Sequence, residues 1–152
     1  MGRLENSPGI SFDAQLAIVT NRRLLRRALQ GVRFTGTARY LSDLPPRCWI
    51  GTTRGAVPAW DPRDVIRPNI RYSSVLQAVV HLQLVQLSVT NGATDGGDSG
   101  GPVMSRRNGG TLLGMHIAGG GRTTYFIPAW QLFEPRNYSG ASSRERWDLV
   151  NP

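Results

Sequence analysis

A chain of 152 residues with 39% hydrophobic and 18% charged residues carries enough apolar material for one folded domain, and too little length for two complete barrels with extensions. The net charge of +8 would suit a nucleic-acid or phosphate-rich partner, but all 18 basic residues are arginine, which reads equally as a coding bias. No apolar run reaches the roughly 18 residues of a membrane span, and Met1 to Pro8 lack the basic-then-apolar order of a signal peptide. The single cysteine, Cys48, rules out an internal disulfide and favours a reducing, cytoplasmic setting.

In chain order, Phe12 to Thr20 is an apolar run of strand length, and Asn21 to Gln30 follows as a basic, leucine-spaced turn or helix. There Arg22, Arg23, Arg26 and Arg27 lie beside Leu24, Leu25 and Leu29, either as a solvated helical face or as an RNA-binding patch. Strand-like segments recur at Val32 to Tyr40, Arg47 to Thr53, Val75 to Thr90, Val103 to Met104, Thr111 to Ile117 and Thr123 to Ile127. Gly, Pro and Asn clusters divide them, which predicts an all-β chain. Ser74 to Thr90 is long enough to be two strands or one strongly bent one. Pro58 to Arg71, with three prolines, predicts an irregular surface connection. From Glu134 the tail turns polar, with Trp147 and Leu149 its only candidates for docking.

The strongest signal is Gly97-Asp98-Ser99-Gly100-Gly101-Pro102. Acyl transfer needs a nucleophile on a sharp turn with backbone N–H groups aimed at the developing oxyanion, and glycines permit such a turn. Ser99 is the candidate nucleophile, the Gly97 and Ser99 N–H groups the candidate oxyanion hole, and Asp98 a structural carboxylate. The plainer alternative is a glycine-rich hairpin that happens to contain serine.

On this loop and its flanks, roughly Phe12 to Phe133, the chain resembles the chymotrypsin-like clan. Its closest look is to the serine-type 3C-like proteases of positive-strand RNA viruses. Thr94-Asp95-Gly96-Gly97-Asp98-Ser99 is similar to the viral pattern Thr-x-x-Gly-x-(Ser or Cys), and Gly114-Met115-His116-Ile117-Ala118-Gly119 is similar to the strand that follows it. The resemblance implies a chymotrypsin-like antiparallel β-barrel: a complete second barrel over residues 41–134, with residues 1–40 holding the end of the first barrel and the connection, and 135–152 a tail. It implies cleavage of a polypeptide, the chain's own polyprotein, after Glu or Gln. Thr94 and His116 would line the specificity pocket beside Ala118 and Gly119. A histidine on an apolar strand is otherwise an ordinary core residue. An acidic floor for Arg or Lys would fall six residues before Ser99, where Ala93 stands.

A serine hydroxyl needs a base, normally a histidine oriented by a carboxylate. Asp13, opening the apolar run to Val19, resembles that carboxylate, although Asp also begins strands for local reasons. The clan's histidine precedes its Asp, whereas His81 and His116 both follow Asp13. The expectation is therefore a fragment lacking its first strands, or an inactive descendant. A bacterial glutamate-specific or trypsin-like peptidase and an inactive RNA-binding module stand as alternatives. No metal or organic cofactor is implied, since neither a His/Cys cluster nor a phosphate-cradling loop occurs.

Overall fold

The structure, a computed structural model, describes residues 32–71 and 79–135. The strand over 12–20, the basic segment with Arg22, Arg23, Arg26 and Arg27, Asp13, and the tail with Trp147 and Leu149 lie outside the described residues. Seven strands form one sheet: β1 (Arg33–Thr37), β2 (Arg47–Thr52), β3 (Gly55–Arg71), β4 (Val79–Val89), β5 (Pro102–Arg106), β6 (Gly109–Gly120) and β7 (Thr123–Pro128), followed by a short helix α1 (Ala129–Leu132). The order is β1-β6-β5-β2-β3-β4-β7, and a further β6–β7 pairing closes β2 to β7 into a six-stranded antiparallel barrel. Closure removes the unpaired edges that an open sheet would expose.

The barrel forms because its strands alternate. In β4, Val85, Leu87 and Val89 join Ile50, Val103, Leu113 and Phe126 in the interior, whereas Leu84 turns outward to meet Ile117 and Ile127. Met115 and Leu132 pack on that outer cluster, so α1 lies over it. Full burial of such a side chain stabilises by about 1.5–3 kcal/mol, which sets the register against a one-residue slip. Strand β1 adds in parallel to the first half of β6, the half that β7 leaves free. Residues 33–37, within the segment 1–40 read from sequence as the end of a first barrel and the connection, share the barrel's sheet.

Pro58 to Arg71 is not an irregular connection: it belongs to β3, a strand of 17 residues. Its prolines sit outside the regular part of its pairing with β4. Pro58 precedes the pairing with β4, which begins at Ala59, and Pro62 and Pro68 fall in two breaks of register, Trp60/Arg63 and Ile66/Asn69. Asp61, just before Pro62, takes a left-handed φ of 54° at the first break. The long segment before Thr90 is a single strand over its described part, β4. No helix among the described residues is long and apolar enough to cross a membrane.

Cys48 is fully buried in β2, its Sγ donating to the Pro45 carbonyl at 3.4 Å. Burial pushes its thiol up to about 12, so it holds no thiolate at neutral pH and is no candidate nucleophile. A chromogenic disulfide reagent at pH 8 is expected to leave the native chain unmodified and to titrate one thiol per chain after denaturation. Rapid native labelling would show that β2 opens.

Candidate active site

The segment between β4 and β5 is anchored by Asp98, whose side chain is buried at 3% exposure while its neighbours Gly97 and Ser99 are exposed. Its carboxylate accepts hydrogen bonds from the Thr53 N–H (2.9 Å), the Thr53 hydroxyl (3.1 Å) and the Asp95 N–H (2.8 Å). Burial pushes this carboxyl up, but the Thr53 and Asp95 donors and the charge of Arg54 together hold it below the usual carboxylate range. Arg54 is itself fixed by the carbonyls of Gly92 and Ala93, to which its guanidinium donates at 3.2 and 3.4 Å. Asp98 therefore ties the loop to the β2–β3 turn.

The Asp98 carbonyl does separate work. It accepts from the Gly101 N–H and from His116 Nδ1, each at 3.1 Å. Next to it, the Gly100 N–H donates to the His116 carbonyl and the His116 N–H to the Gly101 carbonyl, both at 2.8 Å. The loop is thus laid along β6. Gly100 adopts a φ of 89°, which an L side chain would strain, and a Cβ on Gly101 would lie 2.0 Å from the Gly51 carbonyl oxygen. The two glycines serve different needs, one of conformation and one of space.

Ser99 projects from this turn, with its Oγ donating to the Ile117 carbonyl at 2.9 Å. Among the described residues neither the Gly97 nor the Ser99 N–H has a hydrogen-bond partner, so both donors flank Ser99 unused. A cleft of about 720 Å³ opens beside them, bounded by the Thr52-Thr53 turn, Pro102, Met104 and Arg107. Thr94 is buried and stands against Gly119: a Cβ there would lie 2.6 Å from the Thr94 Oγ1 and 2.9 Å from the Thr124 Oγ1. The Thr124 hydroxyl donates to the Ala118 carbonyl at 3.1 Å. His116 is 1% exposed, and its Nε2 is buried without a partner.

Ser99, Gly97, Thr94, His116, Ala118 and Gly119, all singled out from sequence, thus belong to one end of the barrel, on the loop before β5 and on β6. No hydrogen bond joins Thr94 to His116. Asp13 lies outside the described residues. His81 is at the start of β4, opposite Asn69, on the order of 25 Å of strand away from the end of β4 that leads into the loop. Sequence reasoning missed Thr53 and Thr124, which stand in no motif, and the part played by the Ile117 carbonyl, although Ile117 lies within the Gly114 to Gly119 segment; all three are found through hydrogen bonds of the loop and β6. Among the described residues no group of three His, Cys, Asp or Glu side chains is placed to hold a metal ion. In comparisons with known proteins, no family model and no curated protein matches this chain.

The lowered Asp98 carboxyl makes stability depend on acid. Its contribution is present above the ordinary carboxyl value of about 3.9 in the unfolded chain and is lost as pH falls through the lower folded value. Urea unfolding of Asp98→Asn is expected to show lower stability than the parent at pH 7, by about 1–3 kcal/mol for donors left badly matched. The gap should narrow towards pH 3. A variant as stable as the parent at pH 7 would contradict the anchoring role.

Proposed function

We propose that this barrel is the nucleophile-bearing half of a chymotrypsin-type serine endopeptidase, similar to the 3C-like enzymes of positive-strand RNA viruses, cutting a polyprotein after Glu or Gln. One observation carries the reading: an exposed Ser99 on a glycine turn of a closed six-stranded barrel, with the unpaired N–H groups of Gly97 and Ser99 beside it. In this reading the Ser99 Oγ attacks the scissile carbonyl carbon and gives its proton to a base. The carbonyl oxygen takes up the electron pair as an oxyanion facing those two N–H groups. Collapse of the tetrahedral adduct expels the amine, which takes the proton from the base, and water then hydrolyses the acyl-enzyme.

The base is the part that the barrel does not supply among its described residues. The Ser99 hydroxyl meets the Ile117 carbonyl, and the His116 ring is held by Asp98. A histidine from a first barrel, oriented by Asp13, completes the proposed triad. The same observation favours a second reading, a protease-like module that binds a chain without cutting it.

Hydrolysis of a Gln or Glu peptide separates the two. The 152-residue chain by itself is expected to show no appreciable turnover, whereas the chain extended upstream by a histidine-bearing first barrel should cleave. In the extended polypeptide, Ser99→Ala should cost on the order of 10⁶ in turnover, since nucleophile and base act as a unit. Asp13→Ala should lower it strongly. Cleavage that survives Ser99→Ala would overturn the assignment, and Ser99-dependent cleavage by the short chain would make His81 the next residue to replace.

A further inference from the structure

The cleft beside Ser99 continues along the outer face of β5 and β2. Ile50 and Val103 point into the barrel, so Trp49 and Met104, which face each other across the two strands, point outward. Gly51, Pro102 and Met104 line the cleft on that face. Arg107 and Asn108, in the turn that joins β5 to β6, line its far end. The length of β5 separates this end from Ser99, about 13 Å for the four steps from Pro102 to Arg106 at the usual rise of a strand.

At the far end two cations share one ring. The Arg47 guanidinium lies over Trp49 at 5.0 Å from the ring centroid, and that of Arg107 at 5.9 Å. The attraction of each to the electron-rich ring offsets part of the repulsion between them, so Trp49 gathers two like charges at one place. Both arginines are exposed, and among the described residues neither guanidinium has a hydrogen bond or an ion pair. The one carboxylate that lines the cleft is Asp98, and its oxygens are taken by Thr53 and Asp95. A pair of unmatched guanidiniums, planar and rich in donors, is suited to an anion that arrives from outside.

We propose that Arg107 and Arg47, gathered on Trp49, form a subsite for an acidic side chain of the peptide, four or five residues to the leaving-group side of the cut bond. The inference rests on the peptide-cleaving reading above and adds a second point of recognition to it. The side of the bond follows from what else is occupied: Thr94, His116 and Gly119, which that reading gives to the residue before the bond, do not line this cleft, so it is left to the residues after it. The position follows from length, since an extended peptide advances about 3.3 Å per residue and needs four residues to cover about 13 Å. A carboxylate can accept two parallel hydrogen bonds from one guanidinium, which a carboxamide of the same shape cannot. A nucleic-acid base would have to displace a guanidinium to stack on Trp49, so the occupied ring favours an acidic peptide over single-stranded RNA.

Binding of leaving-side product peptides to the 152-residue chain tests this without requiring turnover. Two octapeptides with free N-termini, identical but for Glu or Gln at both their fourth and fifth residues, are titrated at low salt into the ¹⁵N-labelled chain and followed by NMR. Trp49→Phe assigns the Trp49 indole signal. The Glu peptide is expected to bind about fivefold more tightly, the scale of a partly exposed charged contact, and to shift the Trp49 indole together with the Gly97 and Ser99 amides. Arg107→Gln, checked for fold by its spectrum, should erase that ratio. Arg39→Gln, which removes the same charge from an exposed site outside the cleft, should leave it. Equal loss in both variants would mean diffuse attraction to a basic chain and overturns the subsite. Equal binding of the two peptides overturns it as well, while shifts at Gly97 and Ser99 would still support the peptide-cleaving reading. A Glu peptide that shifts Trp49 but not Gly97 and Ser99 overturns its place in the substrate cleft. A single-stranded RNA octamer that shifts the same signals and binds more tightly than the Glu peptide assigns the arginines to nucleic acid instead. Shifts at neither end overturn the inference alone, since the peptide-cleaving reading stands or falls on turnover by the extended polypeptide.

Discussion

Asp98 is the residue on which this end of the barrel depends. Its side chain and its main chain face different partners: the carboxylate gathers three donors from Thr53 and Asp95, and the carbonyl gathers the Gly101 N–H and the His116 ring. A buried carboxylate is tolerable only when its lone pairs are matched, and here the matching donors come from the β2–β3 turn and from the loop itself. Satisfying one charge therefore positions Ser99, which follows Asp98 directly, and sets the tautomer of a histidine on β6. The turn's geometry is a by-product of that satisfaction.

The barrel supplies the rigidity that this arrangement needs. Strand β6 pairs with β5 on one edge and with β1 and then β7 on the other, so His116 and Ile117 lie on a strand that is held on both sides. The close approach of Gly101 to the Gly51 carbonyl brings the loop's exit against β2, with no space for even a methyl group. Register breaks fall in β3, where proline and bulge coincide, and also along β6, where its pairing with β7 shifts between His116 and Ala118 beside the candidate site.

Under the proposed function, Ser99 would be a nucleophile that is placed but not activated. The Ser99 proton is committed to the Ile117 carbonyl, which cannot take it, and the neighbouring imidazole is turned to the Asp98 carbonyl. In that reading positioning and proton transfer are separable: the loop and barrel would provide the first, and a base from elsewhere the second.

What the sequence determined by itself was local. The strand alternation and the glycine turn around Ser99 were legible because each rests on near neighbours in the chain, whereas Thr94, His116 and Gly119 were singled out only through a family resemblance. Pro58 to Arg71 was misread as a loop because proline's cost in a strand depends on whether a neighbour needs its N–H, which only pairing with β2 and β4 decides. The same holds at the site. That Thr53 holds Asp98, 45 residues further along the chain, and that the Ile117 carbonyl accepts a hydrogen bond from Ser99 follow from barrel closure. So does the unpartnered Nε2 of His116: the ring is oriented by a carbonyl 18 residues away, and no composition or spacing could have foretold it.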